Sequence, residues 1–203
     1  MPRTIEVQLY KFDELSDIAK DKARDWWRNA SIEDEWWEFV YADAVQCVDI
    51  LGIDIVNQRG KTNTPDIQFS GFSSQGDGAC FNGSYSYKPG APKAIRQHAP
   101  QDKELHRIAD ELQKLQRPAF YRLRGEISTA GHYCHSGTMS FSLDREIDFP
   151  MDKEQAVQQL MRDFADWIYK QLETEYDYRN ADEQVDEDIT ANEYEFTADG
   201  KIS

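Results

Sequence analysis

Apolar residues recur along this chain at two spacings, which predict strands in some segments and helices in others. Thr4–Leu9 alternates apolar and polar residues, which is the period of a half-buried strand. Asp13 is a predicted N-cap for a first helix, and Ser31 is the predicted start of a second helix that Gly52 ends. The N-terminal quarter is therefore predicted to form a strand followed by two amphipathic helices.

The middle of the chain alternates predicted strands with a predicted helix. The strands are predicted at residues 53–56, 66–72, 79–87, 121–127 and 139–143. Two of them flank a turn at 73–78, where Gly-Asp-Gly suits a tight reversal of the backbone. Two others predict a hairpin around residues 129–137. Asp102 is a predicted N-cap for a helix that ends at Pro118.

The C-terminal part is predicted to be mostly helical. A long helix follows Asp152, and a shorter acidic helix contains Val185 and Ile189. Because the strands pair with near neighbours and the helices lie between and after them, the pattern predicts an α+β fold. Helices would pack on one face of an antiparallel sheet and leave its polar face open. We expect one domain over residues 1–203, with an acidic C-terminal segment at 172–203.

Negative charge is concentrated in that C-terminal segment. The chain carries a net charge of −15, and residues 173–199 hold eleven carboxylates with a single base, Arg179. Such a surface repels nucleic acid and anionic lipid and attracts basic protein surfaces. The sequence predicts a protein partner, with no direct binding to nucleic acid or membrane. No signal peptide and no long apolar run is visible, so we expect a soluble, cytoplasmic protein with its three cysteines reduced.

Two groups of residues are candidates for binding a partner. The first is the acidic surface, which either imitates nucleic-acid phosphates or simply keeps the protein soluble. Its candidates are Glu173, Glu175, Asp177, Asp182, Glu183, Asp186, Glu187 and Asp188. The second group joins a polar loop to two tryptophans, a residue type that often anchors interfaces. Its candidates are Ser74, Gln75, Asp77, Trp27 and Trp36. Turn geometry for the loop, and core packing for the tryptophans, are the alternative interpretations.

A cluster of histidine and cysteine in the predicted second hairpin is the candidate for chemistry. His132, Cys134 and His135 lie within four residues, and Cys80 could join them as a zinc ligand or as a thiol nucleophile. The spacing matches no common zinc motif, and a polar hairpin end explains the same residues. No metal site and no cofactor is therefore predicted.

Several long blocks of the sequence are similar to one known family. They are DELSDIAKDKARDWW (13–27), FSGFSSQGDGACF (69–81), DKELHRIADELQKLQ (102–116), GHYCHSGTM (131–139), DFADWIYKQLETEYDY (163–178) and ANEYEF (191–196). Together they resemble a family of small acidic proteins of phages, prophages and plasmids, whose members often carry the label "antitoxin of toxin–antitoxin stability system". The resemblance implies an accessory role on a mobile element and brings no catalytic residues with it.

Two hypotheses for function follow. The first is a non-enzymatic protein that neutralises a toxin, a host-defence nuclease or a CRISPR-type complex through an acidic surface, which either mimics DNA or pairs with a basic patch of the partner. The second is a small enzyme that depends on the cysteine–histidine cluster or on zinc. Charge density favours the first hypothesis, because an ordered anionic surface speeds association with basic partners.

Overall fold

A computed structural model describes residues 6–31, 35–144 and 151–203. The chain divides into two compact units. The large unit comprises residues 37–173. The small unit joins the described residues up to Trp36 to the C-terminal residues 174–203, so it is built from both ends of the chain.

The large unit is organised around a four-stranded antiparallel sheet. Its strands, in spatial order, are β2 (Ile53–Ile55), β5 (Gly83–Ser86), β6 (Arg124–Thr129) and β7 (Met139–Leu143). A separate hairpin pairs β3 (Ile67–Phe69) with β4 (Ala79–Phe81). Tyr85, Ile127 and Phe141 point to the covered face of the sheet and are buried, whereas Glu126 and Ser142 are exposed on the other face. The predicted α+β fold, with one open polar sheet face, is confirmed.

Four helices belong wholly or mostly to the large unit. They are α2 (Glu38–Leu51), α3 (Ala91–His98), α4 (Lys103–Gln116) and α5 (Met151–Asn180), whose last turns from Thr174 lie in the small unit. Asp102 caps α4 by accepting a hydrogen bond from the Leu105 amide at 2.9 Å, as predicted. Gly52 ends α2 with a φ of 84°, and a side chain there would meet the Ser86 carbonyl.

The buried Gln116 fixes α4 against the sheet. Its amide nitrogen donates to the Leu123 carbonyl at 2.7 Å and to the Tyr85 hydroxyl at 3.2 Å, and its amide oxygen accepts from the Leu123 amide at 3.1 Å. Because each polar atom of this fully buried side chain has a partner, its burial carries little penalty.

Two predictions in the large unit need correction. The predicted strand 79–87 is interrupted at Asn82, whose side chain bonds Asp66 and the Thr129 amide at 2.8 Å each and so separates β4 from β5. Cys80 was expected on the open face and is instead buried, because β4 is covered on both sides.

The small unit packs two helices and a two-stranded pairing around its own core. Its elements are β1 (Tyr10–Lys11), α1 (Asp17–Ala30), α6 (Asp182–Ala191) and β8 (Glu195–Phe196). The buried core residues are Phe12, Leu15, Ala19, Ala23, Val185, Ile189 and Phe196. The C-terminal acidic segment is therefore folded, as the apolar spacing at Val185 and Ile189 predicted.

The predicted boundaries near the N-terminus are wrong. Residues 6–9 form no strand, and the rest of the predicted strand lies outside the described residues. A short 3₁₀ turn occupies Phe12–Glu14, and α1 is capped by Ser16 and not by Asp13. Ser31 caps the C-terminus of α1 and does not start α2, which begins at Glu38. Ser16 is the N-cap because its hydroxyl oxygen accepts a hydrogen bond from the Ala19 amide.

Candidate functional site

The two units differ sharply in charge. The small-unit sequence contains nineteen acidic and eight basic residues, whereas the large-unit sequence contains nineteen acidic and fifteen basic residues. The small unit therefore carries a net charge of −11 and the large unit a net charge of −4. Most of the anionic field originates from about a third of the chain.

Two arginines of α1 neutralise part of the acidic helix α6. Arg24 binds Asp186 through two hydrogen bonds of 2.6 and 2.8 Å. Arg28 donates to Asp182 at 2.5 Å and to the Asn180 carbonyl. The hydrogen bond from Arg28, supported by the charge of Arg24, lowers the pKa of Asp182 below its usual range. Asp182 and Asp186 thus serve the internal structure of the small unit.

The other carboxylates of the predicted acidic surface fall into three groups. Glu173 lies in the large unit and pairs with Lys170 at 2.9 Å, and Asp188 accepts a hydrogen bond from Gln184 at 3.0 Å. Among the described residues, no ion pair is made by Glu175, Asp177, Glu183 and Glu187. All but the half-buried Glu175 are exposed. We call these four residues the free carboxylates.

Trp27 and Trp36 line one pocket of the small unit, with a volume of about 180 Å³. The Trp36 ring centroid lies 5.8 Å from that of Tyr176, which also lines the pocket, as do Arg28 and Arg179. Trp, Tyr and Arg are the residue types most enriched at energetic centres of interfaces. The Nε1 atom of Trp27 is buried and has no hydrogen-bond partner within the described part of the chain. Both tryptophans are half-buried.

The polar loop at 73–78 is closed by its own side chain. One carboxylate oxygen of Asp77 accepts from the amides of Ser73 at 3.0 Å and Ser74 at 2.7 Å. Gly76 has a φ of 97°, which only glycine adopts without strain. Ser74 and Gln75 are exposed, whereas Asp77 is engaged inside the loop. Turn geometry accounts for Asp77 and Gly76, and leaves Ser74 and Gln75 available at the surface.

The predicted cysteine–histidine cluster does not converge on a metal-binding arrangement in the described residues. The His135 ring accepts a hydrogen bond from the Gly137 amide at 3.1 Å, and the Cys134 thiol contacts Gln68 at 3.7 Å. Burial, followed by the neighbouring Cys134, raises the pKa of Cys80 to about 11. A nucleophilic thiol requires the opposite shift. His132 is exposed.

A different set of side chains with metal-ligand chemistry comes together between α2 and α3. Asp43, Cys47 and His98 place one ligand atom each within 4.8 Å of one another. Burial, then Asp43 and Asp102, raise the pKa of Cys47 to about 12. Sequence reasoning missed this set because His98 is distant in the chain. The one available signal was the four-residue spacing of Asp43 and Cys47, which places both on one helix face.

The comparisons with known proteins place the chain in a family. No helix in the described ranges is long and apolar enough to cross a membrane. The molecule is an α+β protein with a separate acidic unit. It belongs to the family of the domain of unknown function DUF8835, whose model matches residues 36–182. No curated protein and no solved structure matches the chain. The matched range covers the large unit and ends at the first residue of α6, so most of the small unit lies outside it.

Proposed function

We propose that this protein is a non-enzymatic binding protein that neutralises a basic protein partner through the acidic surface of the small unit. The observation that carries the proposal is the set of free carboxylates, which make no ion pair within the described part of the chain and stand on α6 and on the C-terminal turns of α5. Val185 and Ile189 pack α6 onto the core of the small unit. An anionic surface of this kind accelerates association with a basic partner and helps to select it.

The arrangement of charges on α6 supports a role beyond folding. Arg24 and Arg28 neutralise one side of this helix through Asp186 and Asp182. Glu183 and Glu187, four residues apart, remain exposed and adjacent on the helix surface. Like charges at this spacing destabilise a helix slightly. Glu183 lies in the first turn of α6, where the helix dipole favours a carboxylate, so it is the charge of Glu187 that does not serve the stability of α6. Its negative field is available to a partner.

The pocket of Trp27 and Trp36 supplies an anchor for the same partner. Flat aromatic walls offer a large contact area to a side chain of the partner.

The class of partner follows from the charge and from the sequence resemblance. A surface this acidic disfavours nucleic acid and anionic lipid as direct ligands. The resemblance to small acidic proteins of phages, prophages and plasmids supports a toxin, a host-defence nuclease or a CRISPR-type complex as the partner. Such partners bind nucleic acid through basic surfaces, which the free carboxylates would engage as DNA phosphates do.

The proposal is tested by affinity capture from host lysate with two matched variants. The surface variant carries Glu175→Gln, Asp177→Asn, Glu183→Gln and Glu187→Gln. The control variant removes four exposed carboxylates of the large unit that make no ion pair among the described residues: Glu38→Gln, Asp54→Asn, Glu126→Gln and Asp166→Asn. Both variants gain the same net charge, so they separate the position of the charge from its amount.

We expect the wild type and the control variant to retain one partner at low salt and to release it at high salt. The surface variant should fail to retain it at either salt concentration. Equal recovery by the surface variant, or recovery that does not depend on salt, would contradict the proposal. Trp36→Ala removes one aromatic wall of the pocket, so weakened capture by this variant would identify the pocket as the anchor.

A further inference from the structure

Three potential metal ligands converge on the surface of the large unit. Asp43 and Cys47 are one turn apart on α2, and His98 is the last residue of α3. The ring nitrogen Nε2 of His98 lies 3.4 Å from Oδ1 of Asp43, and the Cys47 sulfur lies within 4.8 Å of both. Ligand atoms around a tetrahedral zinc ion are about 3.3–3.7 Å apart. The histidine and the carboxylate already have this separation.

We propose that Asp43, Cys47 and His98 form a zinc-binding site. Thiolate, imidazole and carboxylate are the three ligand types that zinc accepts, and their combination excludes the hard cations magnesium and calcium. Cys47 binds as the thiolate, and its proton passes to solvent. Three protein ligands leave a fourth tetrahedral position, which a water molecule fills because the Asp43 and His98 side chains are 55% and 29% exposed.

The surroundings of the three ligands suit a cation. Cys47 is only 1% exposed, so it anchors the inner side of the site and fixes the distance between α2 and the ion. The carboxylate of Asp102 adds a second negative charge close enough to act on the thiol. Its oxygens already accept from the Leu105 amide and the Trp167 indole N–H, so it remains an outer charge. The C-terminal end of α3 contributes further negative potential at His98.

This inference is independent of the proposed function. The site lies in the large unit and uses none of the free carboxylates. A failure to bind zinc would leave partner capture unchanged, and a failure to capture a partner would say nothing about zinc. The site also differs from the histidine–cysteine cluster suggested by the sequence, with which it shares no residue.

The test is direct titration of the metal-stripped full chain with zinc and with cobalt. Zinc affinity is measured by competition with a chromophoric chelator, and bound cobalt is read by absorption. A sulfur-to-cobalt charge-transfer band reports the Cys47 thiolate, and the intensity of the ligand-field bands reports tetrahedral coordination. His98→Gln and Asp43→Asn change exposed side chains and should leave the fold intact, which circular dichroism verifies. Cys134→Ser and His132→Gln, in the other cluster, are the matched controls.

We expect one zinc ion per chain, and a loss of affinity of at least tenfold in His98→Gln and in Asp43→Asn. Removal of an outer partner alone costs about 10–100-fold in metal affinity, so loss of a direct ligand should cost no less. Both controls should bind as the wild type does. Substoichiometric binding, absence of the charge-transfer band, or unchanged affinity in His98→Gln would overturn the proposal. Loss of binding in the controls would assign the metal to the other cluster.

Discussion

The small and large units achieve a folded structure by different means. The large unit surrounds a four-stranded sheet with helices and balances most of its charge. The described part of the small unit has a core of seven buried residues, with four partly buried hydrophobic residues packed on it, and the unit carries a net charge of −11. A core this small contributes little stability on its own, so such units depend on additional links. Here the links are the ion pairs of Arg24 and Arg28 with α6.

This contrast shows that some carboxylates of a helix can hold it in place through ion pairs while other carboxylates of the same helix form an exposed anionic surface. Val185 and Ile189 hold α6 to the core, Asp182 and Asp186 bind the arginines, and Glu183 and Glu187 face solvent. The packed side fixes the position of the exposed side. A disordered acidic tail of the same composition would lose conformational entropy on binding, whereas this surface is already ordered.

The largest effect is expected from truncating a core phenylalanine in each unit. Phe196 is fully buried in the small unit against Trp26, and Phe164 is fully buried in the large unit against Phe81. Each change to alanine should cost about 3–5 kcal/mol. In Phe196→Ala we expect native-state hydrogen exchange to show lost protection in α1 and α6 and retained protection in α4.

Phe164→Ala is the matched comparison and should lower protection in the four-stranded sheet. If Phe196→Ala instead lowers the protection of α4 as much as that of α6, the two units unfold as one cooperative body. The comparison between them would then hold for charge alone and not for stability.

The next effect concerns the ion pairs. Arg24 and Arg96 each make two hydrogen bonds to one carboxylate, but the side chain of Arg24 is 17% exposed and that of Arg96 is 43% exposed. Arg24→Gln should destabilise the protein by about 1–2 kcal/mol, because it leaves the half-buried Asp186 without its partner. Arg96→Gln should have no measurable effect, because solvent screens its exposed pair with Asp110. Urea denaturation measures both, and equal effects would contradict the assignment of Arg24 as a structural link.

The main elements of the fold could be predicted because their signals are local. Asp102 as the cap of α4 and Gly52 as the end of α2 depend on neighbouring residues only. The predictions are wrong where contacts between residues distant in the sequence determine the structure. Asn82 interrupts a continuous strand pattern because it bonds Asp66 and Thr129, and neither bond can be inferred from the alternation of apolar residues.

The candidate sites also divide into features with a local sequence signal and features that depend on distant contacts. The sequence located the acidic segment, but it could not separate Asp182 and Asp186 from the free carboxylates. Arg24 and Arg28 are more than 150 residues away from them, as the hydrogen bonds show. Matching four-residue spacings in α1 and α6 were the only local signal of this pairing. The Asp43, Cys47 and His98 set likewise depends on the packing of two helices.

A smaller effect is expected from pH, and it depends on Asp182. Because the Arg28 hydrogen bond lowers the folded-state pKa of Asp182, folding is favoured above the unfolded pKa of about 3.9. This contribution is lost as the pH falls through the lowered value. The stability difference between wild type and Arg28→Gln should therefore shrink as the pH falls below about 4. It should not vanish, because Arg28 also donates to the Asn180 carbonyl. A stability difference between wild type and Arg28→Gln that does not change with pH would show that Asp182 does not contribute to it.

The smallest expected effect has the greatest diagnostic value, because its sign differs between the units. Glu187→Gln removes the like-charge repulsion with Glu183 and leaves the first turn of α6 unchanged, so it should stabilise the protein by about 0.2–0.5 kcal/mol. In the large unit, Glu111 pairs with Lys114 on α4 at 3.3 Å, so Glu111→Gln should destabilise by a similar amount. Thermal melts at low salt measure both changes, and high salt should reduce both. If Glu187→Gln is instead less stable than wild type, Glu187 serves folding and no longer supports a binding role. If the variant is more stable and captures the partner less well, stability and binding oppose each other at Glu187, which supports the proposed function.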